Sequence, residues 1–207
     1  MNNSWNKIIY KAASPIYDSI FNAGMFRTAR SNVFDAATFR DESAVLFAGV
    51  GTGADLELID LDHLHITAID YSRDMLKKAE VKFKDSHIRF LEMDAQNLSF
   101  KEETFDYVVA SLILSVVPDP GACFREMERV LNKNGELIIF DKFTPPDGKI
   151  SFGKRLIRPI ISVLGTDIGV DFEDVFQKNN HTMMKIEDRP VMMNGMYRKI
   201  VLKKHYE

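Results

Sequence analysis

Three alternate glycines, Gly49, Gly51 and Gly53, follow the short apolar run Val45-Leu46-Phe47-Ala48. Glycine lets the backbone take positive φ and lets a ligand approach without meeting a Cβ. Beyond the glycines, Leu56, Ile59 and Leu61 recur at helical spacing, so the stretch reads as strand, tight turn and helix. The start of such a helix presents free N–H groups. A nucleotide-like cofactor suits that cradle. Gly49, Gly51 and Ala54 also fit the dinucleotide fingerprint G-x-G-x-x-G/A. A glycine turn with no ligand has the same composition, so the rest of the chain must decide.

Two carboxylates extend the pattern. Asp70 ends the apolar run Ile66 to Ile69, about 20 residues beyond the first glycine. A carboxylate there can take both hydroxyls of a ribose; helix capping is the alternative, for which Ser72 is the better residue. Asp94-Ala95 follow the run Ile88 to Glu92. Asp94 can accept from an adenine amino group and the Ala95 N–H can meet a ring nitrogen; a solvated loop aspartate is the alternative. Ser111-Leu112 close the run Phe105 to Ala110 and can line the far end of the same ligand.

Other chemistry is poorly supplied. The histidines His63, His65, His87, His181 and His205 fall at no predicted strand tip and show no metal-ligand pair on a predicted helix, so no metal is expected. Cys123 is the only cysteine, which excludes an internal disulfide and a cysteine-based zinc site. No catalytic side chain is assigned. The net charge of −3 predicts no general affinity for nucleic acid.

The elements that must position these residues alternate. Strands are predicted at Val45 to Ala48, Ile66 to Ile69, Ile88 to Glu92, Phe105 to Ala110 and Glu136 to Phe140, the last after an Asn134-Gly135 turn. Ser72 caps a helix to about Lys82, and Pro120 opens one through Leu131. Such alternation argues a parallel sheet covered on both faces. Right-handed crossovers then bring Gly49, Asp70, Asp94 and Ser111 to one edge, where open α/β sheets bind ligands. Met183 to Glu187 and Met196 to Leu202 read as two closing strands, with Arg189-Pro190 and Asn194-Gly195 marking the turn region between them.

Taken together, these residues resemble the class I S-adenosylmethionine-dependent methyltransferases over about Ser43 to Phe143. The motifs are Val45-Leu46-x-x-Gly49-x-Gly51-Thr52-Gly53, Ala68-Ile69-Asp70-Tyr71-Ser72-x-x-Met75-Leu76, Phe90-Leu91-x-x-Asp94-Ala95, Phe105-Asp106-x-Val108-Val109, Glu126-x-x-Arg129-Val130-Leu131 and Asn134-Gly135-Glu136-Leu137. The resemblance implies a Rossmann-like α/β fold: a seven-stranded, mostly parallel sheet with an antiparallel last strand and helices on both faces. It implies S-adenosyl-L-methionine as cofactor. The loop Ala48, Gly49, Gly51 and Gly53 would meet its methionine part, Asp70 its ribose, and Asp94 with Ala95 its adenine. Tyr71 and Met75 would pack against the adenine, with Ser111 and Leu112 at the far end. One position departs: the family usually has Asp or Glu where Phe47 stands, helping to hold the ammonium end. Backbone carbonyls such as those of Ala48 or Ser111 must then do more. A finer likeness, to methyltransferase type 11 and the ubiquinone/menaquinone and phospholipid methyltransferases, rests on Tyr17-Asp18, the compact core and the short C-terminal half.

The 207 residues favour a single domain. Residues 1–42 form an N-terminal helical cap of two or three helices, 43–143 the cofactor-binding core, and 144–207 a substrate-side segment and closing hairpin. Tyr10, Tyr17 and Ser115 are candidate substrate contacts; for the aromatics the alternative, which priors favour, is that they simply pack. The segment Phe143 to Asp174 mixes apolar residues with Lys149, Lys154, Arg155 and Arg158. It reads either as an interfacial element gripping a membrane or lipid-like substrate or as a lid with solvated charges. With no secretory signal and no spanning run in view, a cytoplasmic protein is expected, with peripheral membrane contact an open reading. The expected activity is in-line methyl transfer to a small-molecule or lipid-like acceptor. The alternatives are an NAD(P)-dependent oxidoreductase, which leaves Asp94-Ala95 and the closing hairpin unexplained, and a non-catalytic cofactor-binding relative, for which Phe47 speaks.

Overall fold

The computed structural model describes residues 24–35, 39–144 and 170–205. The elements are α1 (Gly24–Phe34), β1 (Ala44–Ala48), β2 (His65–Asp70), α2 (Arg73–Lys82), β3 (Arg89–Glu92) and β4 (Phe105–Ser111). They continue with α3 (Pro120–Val130), β5 (Leu131–Lys142), α4 (Phe172–Asn179), β6 (Met183–Met192) and β7 (Tyr197–Lys204). The strands form one seven-stranded sheet in the order β3-β2-β1-β4-β5-β7-β6. Strands β1 to β5 pair in parallel. Strand β7 runs antiparallel to both β5 and β6. The implied α/β architecture with its antiparallel last strand is thus present.

Period-2 alternation feeds two cores. Leu46, Ala48, Val108, Ala110, Leu137 and Ile139 face α3 and α4, meeting Phe124, Met127 and Phe172. Val45, Phe47, Tyr107, Val109, Ile138 and Phe140 face α1, meeting Ala29, Val33 and Phe34. Successive strand residues point to opposite faces, so strands buried on both faces must be apolar throughout. Fully burying a side chain such as Phe47 contributes about 1.5–3 kcal/mol.

Helix starts follow the side chains that cap them. Ser72 Oγ accepts from the Met75 N–H at the head of α2. Asp119 accepts from the Ala122 N–H, with Pro120 in the first turn of α3. Asp171 accepts from the Glu173 and Asp174 N–H groups at the head of α4. Each such cap satisfies a donor the helix itself leaves open.

Three expectations are corrected. The helix expected after the glycines is a single 3-10 turn, Leu56–Leu58, followed by extended Ile59. Asp60 Oδ1 accepts from the Asp62 N–H at 3.0 Å, a local bond that competes with helix continuation. Arg189-Pro190 lie inside β6 rather than in a turn. That strand is the sheet edge, where proline is tolerated, and its register shifts between Pro190 and Met192. The reversal is confined to residues 193–196, of which Met193, Asn194 and Gly195 are at positive φ. Finally, β5 begins at Leu131, and Asn134-Gly135 form an excursion where its pairing with β4 jumps from Leu131 to Glu136. Of the helices expected before Thr38, the described residues contain α1.

Candidate functional site

The chain fills β1, β2 and β3 outward in one direction and then returns to place β4 on the other side of β1. At such a reversal the loops beyond neighbouring strand tips diverge and leave a crevice. A cleft lies there, at the place where open α/β sheets take their ligands. Its wall includes Gly49, Gly51, Asp70, Tyr71, Met75, Asp94, Ala95, Ser111 and Leu112. The structure therefore brings together nine of the residues expected to hold a cofactor.

The glycines divide the work. Gly51, at φ +57°, faces open space: a Cβ there would have no neighbour within 4 Å. Gly53 is turned the other way, where a Cβ would sit 2.6 Å from Phe83 Cε2. It lets the turn pack on α2 and is not part of the cleft wall. Ala48 is likewise buried beneath the turn and off the wall. Three of the turn's N–H groups are used internally. Val50 donates to Ile69 O, Gly51 to Asp70 Oδ2 and Gly53 to Val50 O. The free helix-terminal donors expected here are replaced by this bonded turn.

Asp70 is the acid on which the wall is built. Its Oδ2 accepts from Gly51 N at 2.8 Å and its Oδ1 from Ser72 N at 2.7 Å. Burial pushes its pKa up to about 6, against the opposing pull of those two N–H bonds. Asp94 Oδ1 accepts from the backbone N–H and side-chain amide of Gln96, both at 2.9 Å. Ala95 beside it is buried, as is Met75, while Tyr71 is partly exposed at the mouth. Leu112, at φ +54°, is fastened by its N–H to Phe140 O at 2.7 Å.

Ser115 sits apart from these. It is buried off the cleft wall, its N–H donating to Asp141 Oδ2 at 3.1 Å. Asp141 is fully buried, which raises its pKa. Ser115 thus braces the segment after β4, whose Ile113, Val116 and Val117 do line the cleft. Tyr10 and Tyr17 lie outside the described residues. Phe47, 1% exposed, packs in the α1-side core and not on the wall. Among the described residues no cluster of metal-binding side chains occurs.

Sequence reasoning missed an ion pair. Arg30 of α1 donates through Nη1 to Asp55 Oδ1, and both residues line the cleft. Each side chain is only 6% exposed. The arginine also lies over the Phe140 ring, 5.9 Å from its centroid. Its helical spacing from the buried Val33 and Phe34 is the signal that could have put Arg30 on the inward face, though it names no partner.

A family model described as a methyltransferase domain matches residues 46–139. Over 157 residues the chain is 32% identical to a phosphatidylethanolamine N-methyltransferase of Cereibacter sphaeroides, spanning 74% of this chain and 76% of that protein. Over 141 residues it is 32% identical to a demethylmenaquinone methyltransferase of Thermotoga maritima, spanning 67% and 60% respectively. Among solved structures, the [4+2]-cyclase SpnF superposes with a TM-score of 0.76 at 15% identity, over 97% of this chain and 96% of that one. That likeness is one of fold alone; a cyclase on this scaffold shows that the fold does not dictate the reaction.

Proposed function

The chain belongs to the methyltransferase domain family, and on that premise we propose that its cleft binds S-adenosyl-L-methionine and presents the methyl group to a lipid-like acceptor. The observation that carries this reading is the convergence of Gly51, Asp70, Asp94 and Ser111 from four separate strand tips onto one wall. Family membership leaves the oxidoreductase alternative without support.

The residues present fit that molecule. Each oxygen of Asp70 takes one backbone N–H, and a carboxylate offers about four acceptor positions. Two remain for a pair of ribose hydroxyls. Gly51 leaves room for close approach beside them. Met75 and Ala95 offer buried apolar surface for an adenine, with Asp94 beside them to accept from its amino group. When bound, the group supplies an electrophilic sulfonium methyl. The protein's part is to hold an acceptor in line with it and to exclude water. Leu112, Ile113, Val116 and Val117 give the wall the apolar surface that this needs.

The acceptor class rests on the relatives. One is named for a phospholipid amine and another for a quinone, both apolar molecules with a polar reacting end. Among the described residues no helix is long and apolar enough to cross a membrane. A lipid-like acceptor implies contact with a membrane surface.

Calorimetry with S-adenosylhomocysteine, followed by transfer assays with labelled S-adenosylmethionine, tests the reading. Phosphatidylethanolamine vesicles and a demethylated quinone are the acceptors, and Asp70→Ala is the control. Uptake of the ligand and product formation on either acceptor bear it out. Absence of ligand uptake at millimolar concentration sinks the cofactor assignment. Uptake without transfer to either acceptor returns the chain to the non-catalytic alternative.

A further inference from the structure

Among the described residues, six large apolar side chains stand exposed: Met25, Tyr71, Val81, Met184, Ile186 and Met193. Their places in the sheet sort them. Strand β6 is antiparallel to β7, which is itself antiparallel to β5, so β6 runs in the same sense as β5. The reversal after β6 therefore lies at the edge where the cleft opens. Tyr197, first in β7, is level with Lys142, two residues beyond the Phe140 that pairs with Ser111. Met193 stands in that reversal, past the strand tips. Helix α1 brings its head to the same edge. The Phe26 ring meets Tyr197 edge-on at 5.4 Å, while further along the helix Asn32 O accepts from Arg189, which is level with Lys199. Met25 is at that head, and Tyr71 follows the tip of β2. From β2 to β6 is five strand spacings, about 24 Å, and the cleft mouth lies between. Val81 is near the far end of α2, and Met184 and Ile186 are in the first half of β6, toward the opposite edge.

Two features mark this rim. Met193 is 46% exposed at φ +53°. That backbone is costly for a long side chain and easy for asparagine or glycine, so the turn holds an apolar side chain in solvent in spite of the strain. Such outliers cluster at functional positions. Met25, 61% exposed, stands over Phe26, Met192, Met196 and Tyr197, which belong to the α1-side core or pack on it. Methionine is flexible enough to settle into an uneven apolar surface.

The acceptor says what that surface is. A lipid-like acceptor keeps its chains in a bilayer, because withdrawing them costs free energy with every methylene. Only the reacting end then enters the cleft, so the edge on which the cleft opens must lie against the bilayer. We propose that this edge is a membrane-docking rim, with Met25 and Met193 inserted among the lipid headgroups. The assignment rests on the lipid-like acceptor proposed above and adds the face and the side chains by which the protein meets the membrane.

Flotation of the full chain with vesicles of phosphatidylcholine and phosphatidylethanolamine tests it. Apolar insertion predicts binding that survives high salt. The rim variant is Met25→Gln/Met193→Asn; asparagine suits the backbone at 193, so the fold is kept. The control, Met184→Gln/Ile186→Gln, removes comparable exposed apolar surface from the other end of β6. The rim variant should bind vesicles about 10-fold more weakly, while the control binds as the unmodified protein does. With labelled S-adenosylmethionine, the rim variant should need about 10-fold more vesicle lipid for half-maximal rate. Its rate on monomeric short-chain phosphatidylethanolamine or a short-chain demethylated quinone should be unchanged. Equal losses in rim variant and control, or none in either, overturn the rim. So does a lipid-free dimer, seen by sedimentation, that the rim variant dissolves, because the face then belongs to a second copy. Absence of vesicle binding by the unmodified protein also overturns it. Methylation of a monomeric acceptor by that same preparation then leaves the proposed function standing, and its absence takes both.

Discussion

Asp70 Oδ2 accepts a hydrogen bond from the Gly51 N–H at 2.8 Å, so the tip of β2 sets the shape of the turn that follows β1. The same acid carries the clearest titration in the cleft. Burial raises its pKa from 3.8 to about 6. For an acid raised on folding, the folded state holds the proton more tightly, so this group's contribution to stability falls as pH rises from 3.8 to about 6. Ligand binding runs the other way. Ribose hydroxyls donate to the carboxylate and favour its ionised form. Affinity for S-adenosylhomocysteine should therefore drop by up to about tenfold per pH unit below about 6, with proton release on binding there. Calorimetry in buffers of different protonation enthalpy measures both. A flat affinity from about pH 5 to about pH 8 would contradict the ribose role of Asp70.

Gly51 and Gly53 should fail differently when given a methyl group. Gly53→Ala drives a Cβ to 2.6 Å from Phe83 at φ +82°. Backbone strain and overpacking together should cost about 2–4 kcal/mol of stability. Gly51→Ala meets open space, so only the strain of about 1–2 kcal/mol applies. Its methyl group instead intrudes on the cleft. Urea unfolding should rank Gly53→Ala as the less stable, and ligand titration should rank Gly51→Ala as the weaker binder. The opposite ranking would mean that Gly51 is not the face the ligand approaches.

Asp141 supports the cleft from behind. Its carboxylate accepts from Ser115 N at 3.1 Å and Lys142 N at 2.7 Å in a fully buried site. Asp141→Ala strands both donors, for a loss of about 2–5 kcal/mol. Because Ser115 braces the segment bearing Ile113, Val116 and Val117, ligand affinity should fall as well. Asp141→Asn keeps one acceptor and should recover part of each loss. Unchanged melting temperature and affinity in Asp141→Ala would show that the brace is dispensable.

Local pattern carried most of the architecture. The apolar runs ending in Gly49, Asp70, Asp94 and Ser111 announced parallel strands, and crossover handedness alone put those ends on one edge. What escaped depended on distant partners or on competing local bonds. Leu56, Ile59 and Leu61 keep helical spacing, yet Asp60 captures the Asp62 N–H and ends the turn. Arg30 and Asp55 lie 25 positions apart and meet only because α1 docks over β1. Ser115 follows a strand tip, as a site residue should, but Asp141 draws it inward. Pro190 looks like a turn former until the sheet order makes β6 an edge.

The sheet's far side makes the last test, since it separates stability from binding. Glu128 of α3 is buried, and its Oε1 accepts from Thr182 N at 2.6 Å and Thr182 Oγ1 at 2.8 Å. The His181 N–H donates to the same carboxylate at 3.1 Å. Lys204 Nζ reaches the Glu128 carbonyl at 2.9 Å, so one turn of α3 fastens the start of β6 and the end of β7. Glu128→Ala leaves the two backbone donors without their acceptor, at about 2–4 kcal/mol. For a chain of this size the melting temperature should fall by about 5–15 °C. Glu128 takes no part in the cleft wall, so at temperatures where the variant is folded its affinity for S-adenosylhomocysteine should match the unmodified protein. Thermal melting and calorimetry on the same preparation give both readouts. An affinity that fell along with the melting temperature would mean that the closing hairpin and the cleft are coupled through α3.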